Sequence, residues 1–220
     1  PGKLTVMGTR LFFSADAGSG YELWTHETTN GSTWMVQDIW AGAGNSYPYS
    51  LTPMGTRLYF KASQYGTGGE LWAHETTNDS TWLVDDINPG SDSSYPQDMV
   101  AVGTRLYFRA DTESGGRELW AHETTNDSSW QVADISPGSA DGWAVDITVM
   151  GTRLYFEAFS SYWDGELWAH ETTNGTTWLV ADICNGSNMG SYPNELTVMG
   201  TRLYFVATGV CHGFSHDLLW

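Results

Sequence analysis

The stretch from Thr152 to Ala158 (TRLYFEA) alternates between polar and apolar positions and is rich in aromatic side chains, the period of a β-strand. DITVM ahead of it, ELWAHET after it and TTWLVADI beyond that read as three more strands. The Met150-Gly151-Thr152-Arg153 corner is short enough for a tight hairpin, with Gly151 free to take positive φ, and Asn174-Gly175 is a second turn signal. A loop of variable length, holding Gly165, separates the second strand from the third, and a longer Gly/Ser/Asn/Pro segment follows Ile183. Leu, Trp, Tyr and Val occur at both strand parities, as expected where both faces of a sheet are covered.

The same four-strand pattern recurs along the chain. The Gly of MGTR or VGTR falls at Gly8, Gly55, Gly103, Gly151 and Gly200, a period of 47, 48, 48 and 49 residues. Such a period is the signature of a repeat architecture, and four antiparallel strands per unit make the blade of a β-propeller. A helical solenoid is disfavoured by the density of Gly, Asn-Gly and β-branched residues. The expected fold is all-β: one domain over 1–220, a five-bladed propeller of ~48-residue repeats, with blades near 1–46, 47–94, 95–142, 143–191 and 192–220. The TW strand occurs only four times, so the last blade is expected to lack its outer strand. Either the natural chain continues, or the strand comes from another copy. An open strand edge there is a candidate surface for a homo-oligomer.

Charge narrows the partners. There are 26 acidic residues against nine basic ones, a net charge of −17, and five of the nine are the repeated Arg10, Arg57, Arg105, Arg153 and Arg202. Phosphate backbones and anionic lipids are drawn to clustered Lys and Arg, so nucleic acid is excluded as a partner. No apolar run approaches the roughly 20 residues of a membrane-spanning helix, so membrane insertion is not expected. The chain shows no signal peptide and opens on Pro1 without Met, which reads as processed or excised. Low Lys, abundant Gly, Ser, Thr and Trp, and several sequons point to an extracellular or cell-surface setting.

The pattern GxELWxHETTxxxTxxVxDIxxG followed by LTxMGTRLYFxA resembles the ELW-type tandem repeats of secreted and surface proteins of microbes. The resemblance runs through Glu22-Leu23-Trp24, Glu70-Leu71-Trp72, Glu118-Leu119-Trp120 and Glu166-Leu167-Trp168, and breaks at Leu218-Leu219-Trp220. His-Glu-Thr-Thr-Asn stands where that family usually has an Asp-Gly-Thr turn. The resemblance implies a propeller at a microbial surface and assigns no ligand. A looser, architectural likeness is to sugar-binding five-bladed propellers of the tachylectin type, with no shared motif.

Strand direction sorts the remaining residues to two ends of the ring. The MGTR corners and HETTN turns share one end. The second-to-third loops and the connections between repeats share the other, and these vary. Nine of the twelve Trp belong to the ELW and TW segments and read as packing residues, whereas Trp40, Trp143 and Trp163 fall in loops of the variable end. Tyr47, Tyr95 and Tyr192 join them there in a recurring Ser-Tyr-Pro, with Trp143 in the equivalent place in the third connection. Tyr65 lies in a loop of the same end. An aromatic once per repeat, among Ser, Asn, Asp and Gly, suits a sugar site, since the ring stacks on the apolar face of a pyranose. The alternative is that each Tyr packs under its own loop.

Other candidates are weaker. His26, His74, His122 and His170 sit in different repeats and are expected to bond Ser, Thr or Asp within their own blade rather than a metal. The repeated Arg and the Asp of Asp-Ile read as an internal ion pair or loop brace. Asp98, Asp146 and Glu195, before the first strands, would surround a channel mouth and could share a Ca²⁺ or face solvent; no other cofactor is expected. Asn30, Asn78, Asn126, Asn174 and Asn185 open sequons, and four of them are equally ordinary turn residues. Cys184 and Cys211 lie in adjacent connections of the variable end, where a disulfide would tie down the last blade.

These readings converge on a secreted, non-catalytic binding module for glycans, with repeated weak sites strengthened by multivalency. The alternatives are a structural or adhesive module that binds surface proteins and, with paired carboxylates, a propeller glycosidase.

Overall fold

The computed structural model describes residues 4–161, 163–184, 190–208 and the backbone of 217–219. Its strands form five antiparallel meanders. The first is β1 (Thr5–Met7), β2 (Arg10–Asp16), β3 (Tyr21–Glu27) and β4 (Ser32–Gln37). The second is β5 (Tyr49–Met54), β6 (Arg57–Gln64), β7 (Gly68–Glu75) and β8 (Ser80–Asp85). The third is β9 (Gln97–Val102), β10 (Arg105–Thr112), β11 (Gly116–Glu123) and β12 (Ser128–Ala133). The fourth is β13 (Val145–Met150), β14 (Arg153–Phe159), β15 (Gly165–Glu171) and β16 (Thr176–Ala181). The last has three strands, β17 (Asn194–Met199), β18 (Arg202–Thr208) and β19 (Asp217–Leu219). None of the described residues forms a helix long and apolar enough to cross a membrane.

The first strands lie side by side, β1 by β5, β5 by β9, β9 by β13 and β13 by β17, and the sheets fan outward from them as β-propeller blades. Thr5 Oγ1 donates to Leu51 O and Thr148 Oγ1 to Leu196 O along this inner row. The two parities of each second strand explain the apolar pattern. Leu58, Phe60 and Ala62 pack with Phe12 and Leu23 of the first sheet, whereas Tyr59, one step out of phase, packs with Leu106 and Phe108 of the third. Tyr107 and Tyr155 repeat the arrangement toward the fourth and fifth sheets. The second, third and fourth sheets are therefore buried on both faces. At about 25 cal/mol per Å² of apolar area, inter-sheet burial is the main term holding the array together.

At the HETTN end, each His Nδ1 meets a hydroxyl on the adjacent fourth strand, Thr33, Thr81, Ser129 or Thr177, at 2.8–3.1 Å. The rings of His74, His122 and His170 lie 5.6 Å from Phe12, Tyr59 and Tyr107 of the preceding sheet. Burial lowers the proton affinity of all three imidazoles. The repeated Arg pairs with the Glu of HETTN, not with the Asp of Asp-Ile: Arg105 Nε–Glu123 and Arg153 Nε–Glu171 are both 3.2 Å. Arg10, Arg57, Arg105 and Arg153 also cover Trp34, Trp82, Trp130 and Trp178 at 5.5–5.7 Å. Asp38 does brace its loop, accepting from Gly42 N at 3.2 Å.

Candidate ligand grooves at the connection end

The connection end is organised by the Glu of ELW. Glu22, Glu70, Glu118 and Glu166 are fully or almost fully buried. Each carboxylate reaches under the chain running to the next sheet. Glu70 accepts from Ile87 N at 3.0 Å, Ser94 N at 2.7 Å and Ser94 Oγ at 2.5 Å. Glu22 and Glu166 hold Ile39 with Ser46, and Ile183 with Ser191, in the same way. In the third copy Gly142 replaces the Ser, and Glu118 accepts from Ile135 N and Ser136 N, both at 3.0 Å. Burial raises Glu70 and Glu118 to about 7, against the hydrogen bonds that pull the other way.

The residue after that Ser or Gly is the loop aromatic, and its backbone is left-handed. Tyr47, Tyr95, Trp143 and Tyr192 have φ of 46°, 46°, 50° and 49°. A non-glycine residue there costs about 1–2 kcal/mol. Hydrogen bonds on both sides impose the geometry: Tyr95 N donates to Gly69 O at 3.1 Å, and Ser94 O accepts from Asp111 N of β10 at 2.7 Å. The connection is thus pinned to its own sheet by the buried Glu and to the next sheet by its second strand. The rings of Tyr47 and Tyr95 are turned outward, whereas Trp143 and Tyr192 are half-buried. Tyr47 and Tyr95 are 54% and 50% exposed, so they do not pack under their own loops.

Between these rings lie three successive grooves. The first, about 510 Å³, is lined by Ser14, Tyr21, Tyr47, Lys61, Tyr95 and Gln97, with Tyr21 and Tyr47 stacked 5.5 Å apart. The second, about 330 Å³, shares Tyr95 and Gln97 and adds Arg109, Asp111, Arg117 and Trp143. The third, about 750 Å³, shares Trp143 and runs to Glu157, Phe159, Trp163 and Tyr192. Trp163 is held at its carbonyl by Gly190 N at 2.6 Å and Tyr192 OH at 3.0 Å. Of the expected aromatic set, Tyr47, Tyr95, Trp143, Tyr192 and Trp163 therefore line grooves. Trp40 and Tyr65 meet each other edge-on at 6.3 Å, outside these three.

Sequence reasoning missed two contributors. One is the buried Glu of ELW. The other is the residue between Phe and Ala of the second strand, which is Ser14, Lys61, Arg109 or Glu157 in the first four sheets. It shares the parity of Tyr59 and its equivalents, toward the next sheet, but stands nearer the connection end, so it floors a groove. Lys61 Nζ donates to Ser63 Oγ at 2.7 Å and lies 6.0 Å from the Tyr95 ring centre. Burial lowers its proton affinity. Arg109, with only 12% of its side chain exposed, donates to Gln97 Oε1 at 2.7 Å and stands 5.5 Å from the Trp143 ring centre. Arg117 covers the same ring at 4.3 Å and pairs with Asp111 at 3.1 Å. Glu157 is raised to about 7 by burial and by the charges of Asp146 and Glu166. The signal available beforehand was a single changing position inside a nearly constant TRLYF-x-A strand.

The expected Ca²⁺ set does not assemble. Asp98, Asp146 and Glu195 occupy left-handed bulges with φ of 54°, 54° and 55°. Asp98 and Asp146 line a depression of about 450 Å³ beside the inner strands, but each serves the protein itself. Asp98 stands 3.5 Å from Arg109, and Asp146 accepts from Leu196 N at 2.8 Å. Among the described residues no three His, Cys, Asp or Glu side chains are grouped closely enough to hold a metal ion.

At the far end Asn30, Asn78, Asn126 and Asn174 are exposed, and each Oδ1 accepts from the N–H and hydroxyl of the Ser or Thr two residues on. The sequon hydroxyl is thus part of an Asx turn. Asn185 lies outside the described residues, as does Cys211. Cys184 is buried, and its expected disulfide falls outside the described part of the chain.

No protein-family model matches the chain, and no curated protein does. Solved structures do match in fold. TolB from Acinetobacter baumannii is 13% identical with a TM-score of 0.53, over 96% of this chain and 52% of that one. The structure of a nidogen/laminin complex matches at 10% identity and 0.53, over 95% of this chain and 74% of that one. A puromycin-hydrolyzing peptidase of Mycobacterium tuberculosis matches at 13% and 0.55, over 91% and 32%. The chain spans about half the length of the Acinetobacter TolB, and what it has in common with these proteins is the β-propeller fold.

Proposed function

We propose that the chain is a five-bladed propeller acting as a non-catalytic, extracellular or surface-located glycan-binding module, with its sites at the connection end. The carrying observation is the row of three grooves separated by aromatic residues on left-handed backbone. Each ring offers a stacking surface. Beside it stand hydroxyl, amide or charged groups able to bond sugar hydroxyls. Successive grooves share a wall, so an oligosaccharide laid across Tyr95 or Trp143 engages two at once and gains from multivalency.

The reading is tested on an array of neutral and acidic oligosaccharides with the protein and its Tyr95→Gly variant. Binding that grows with chain length and collapses in the variant is expected. No binding by the intact protein at high concentration would sink the proposal. A second reading, a protein partner at the same end, draws on the matched nidogen/laminin structure, which is itself a protein complex. A partner captured with no sugar response would favour it.

A further inference from the structure

The three grooves have one plan and different charges. In the first, the chain places its own cation by the ring, Lys61 Nζ at 6.0 Å from the Tyr95 centre. In the second it places two, Arg109 and Arg117 at 5.5 and 4.3 Å from Trp143. In the third the equivalent second-strand residue is Glu157, and no Lys or Arg is among the lining residues. A Cβ on Gly165 would come within 2.7 Å of Glu157 Oε1 and 2.8 Å of Phe159 Cζ, so the glycine makes room for carboxylate and ring together. Among the described residues Glu157 has no hydrogen-bond donor and no ion-pair partner. The same groove is lined by Trp143, Trp163, Phe159 and Tyr192, the last two rings 5.9 Å apart.

Aromatic faces present negative charge, and a cation held over them is attracted most where water is excluded. Every other groove fills that place with a side chain of its own. We propose that the third groove binds a cationic ligand, an alkylated ammonium group, with Trp163, Phe159 and Tyr192 as the cage and Glu157 as the counter-ion. About 750 Å³ accommodates a small quaternary ammonium with a tail. The strongly acidic chain, at −17, raises the local concentration of cations and speeds their capture. The burial that leaves Glu157 poised near 7 also fits, since a bound cation would repay its ionisation. Asp141 lines the same groove, and Asp146 and Glu166 add negative charge from the neighbouring strands; Arg109 and Arg117 cover the shared Trp143 ring but are not among the residues lining this groove. The inference stands whether or not the other grooves bind sugar.

The test is a calorimetric titration with choline at 0.15 M salt, run beside its uncharged carbon isostere 3,3-dimethyl-1-butanol. Choline is expected to saturate one site, with the isostere at least about tenfold weaker. Glu157→Gln is expected to weaken choline about tenfold and leave the isostere unchanged. Because that carboxylate has no partner to lose among the described residues, the variant should fold, and Trp163→Ala, at a residue 60% exposed, gives a second independent loss. Choline and isostere binding equally, choline binding indifferent to Glu157→Gln, or no saturation up to tens of millimolar would each overturn the proposal. A negative array with a positive choline titration would remove the glycan reading alone.

Discussion

The two ends of this propeller use the same residue types for opposite purposes. At the HETTN end, Glu27, Glu75, Glu123 and Glu171 are partly exposed, accept from Thr backbone and hydroxyl groups two residues on, and hold lowered proton affinity. At the connection end, Glu70 and Glu118 are out of solvent, span from one sheet toward the next, and are raised to about 7. The first set stabilises a turn locally. The second holds the chain crossing between sheets, and that crossing sets each groove aromatic. Repetition therefore does not separate structure from function here: a side chain repeated in four sheets fixes the position of the loops that differ.

The sharpest way to break this comparison is to remove one Glu from each end of a single strand. Glu70 and Glu75 both lie on β7. Glu70→Ala strands the buried N–H groups of Ile87 and Ser94 and is expected to cost about 3 kcal/mol or more. Glu75→Ala loses exposed bonds to Thr56 and Thr77 and is expected to cost about 1 kcal/mol or less. Urea unfolding of the two variants measures both; equal losses would contradict the asymmetry.

Acidity distinguishes the ends next. Glu70 is raised from 4.5 to about 7, so between those values the folded chain holds a proton that the unfolded chain has released. Its contribution to stability therefore falls as pH rises through that window. His74, His122 and His170, lowered from 6.5, pull the other way, because only the unfolded chain takes up their protons as pH drops. The sign is read from a difference: wild-type stability minus that of Glu70→Gln should increase from pH 7 to 4.5, by up to about 1.4 kcal/mol per pH unit. At the HETTN end the order reverses. Glu171, lowered to about 2, stabilises the fold above 4.5 and loses that effect as pH falls toward 2. Thermal unfolding of both proteins and of Glu171→Gln across this range decides it.

Third in size is the effect on binding. Tyr95 walls two grooves, and its φ of 46° is one that glycine adopts without strain. Tyr95→Gly should leave the unfolding midpoint nearly unchanged and lower oligosaccharide avidity by about an order of magnitude or more. Trp82, an aromatic at the other end that packs under Arg57, serves as control: Trp82→Ala should reduce stability and spare binding.

Much of this was legible in the sequence because β-strand packing writes itself at period two. The strand positions in TRLYFEA, ELWAHET and TTWLVADI lie within a residue or two of the observed strands, and the His–hydroxyl pairing follows from adjacent strands. The connection end was less legible for physical reasons. A left-handed Tyr or Trp has no sequence signature, since glycine or asparagine is what such a backbone usually selects. The partners of Glu70 lie 17 and 24 residues away, outside any local periodicity. What could have been read is parity: Glu22, Glu70, Glu118 and Glu166 stand at strand positions otherwise surrounded by buried side chains, where a carboxylate must have donors nearby. The carboxylates at the channel mouth looked convergent in projection, but the bulges turn Asp98 toward Arg109 and Asp146 toward Leu196 N.

The smallest effect gives the finest test, because it lies within one strand. Arg57 and Lys61 are both on β6, the first at its start and the second in its middle. The guanidinium of Arg57 meets Asp127 at 3.1 Å and Tyr59 OH at 3.3 Å, and covers Trp82. Arg57→Met should therefore cost about 1 kcal/mol and leave ligand binding untouched. Lys61 donates to the Ser63 hydroxyl, and burial already opposes its charge. Lys61→Met should shift stability by no more than about 0.5 kcal/mol in either direction. It changes the floor of the groove between Tyr47 and Tyr95 from cationic to apolar, so it should alter which oligosaccharides bind, with acidic ones losing most. If Lys61→Met destabilised the fold as much as Arg57→Met and left the array profile unchanged, the ammonium would be a packing element, and the division of labour along β6 would fail.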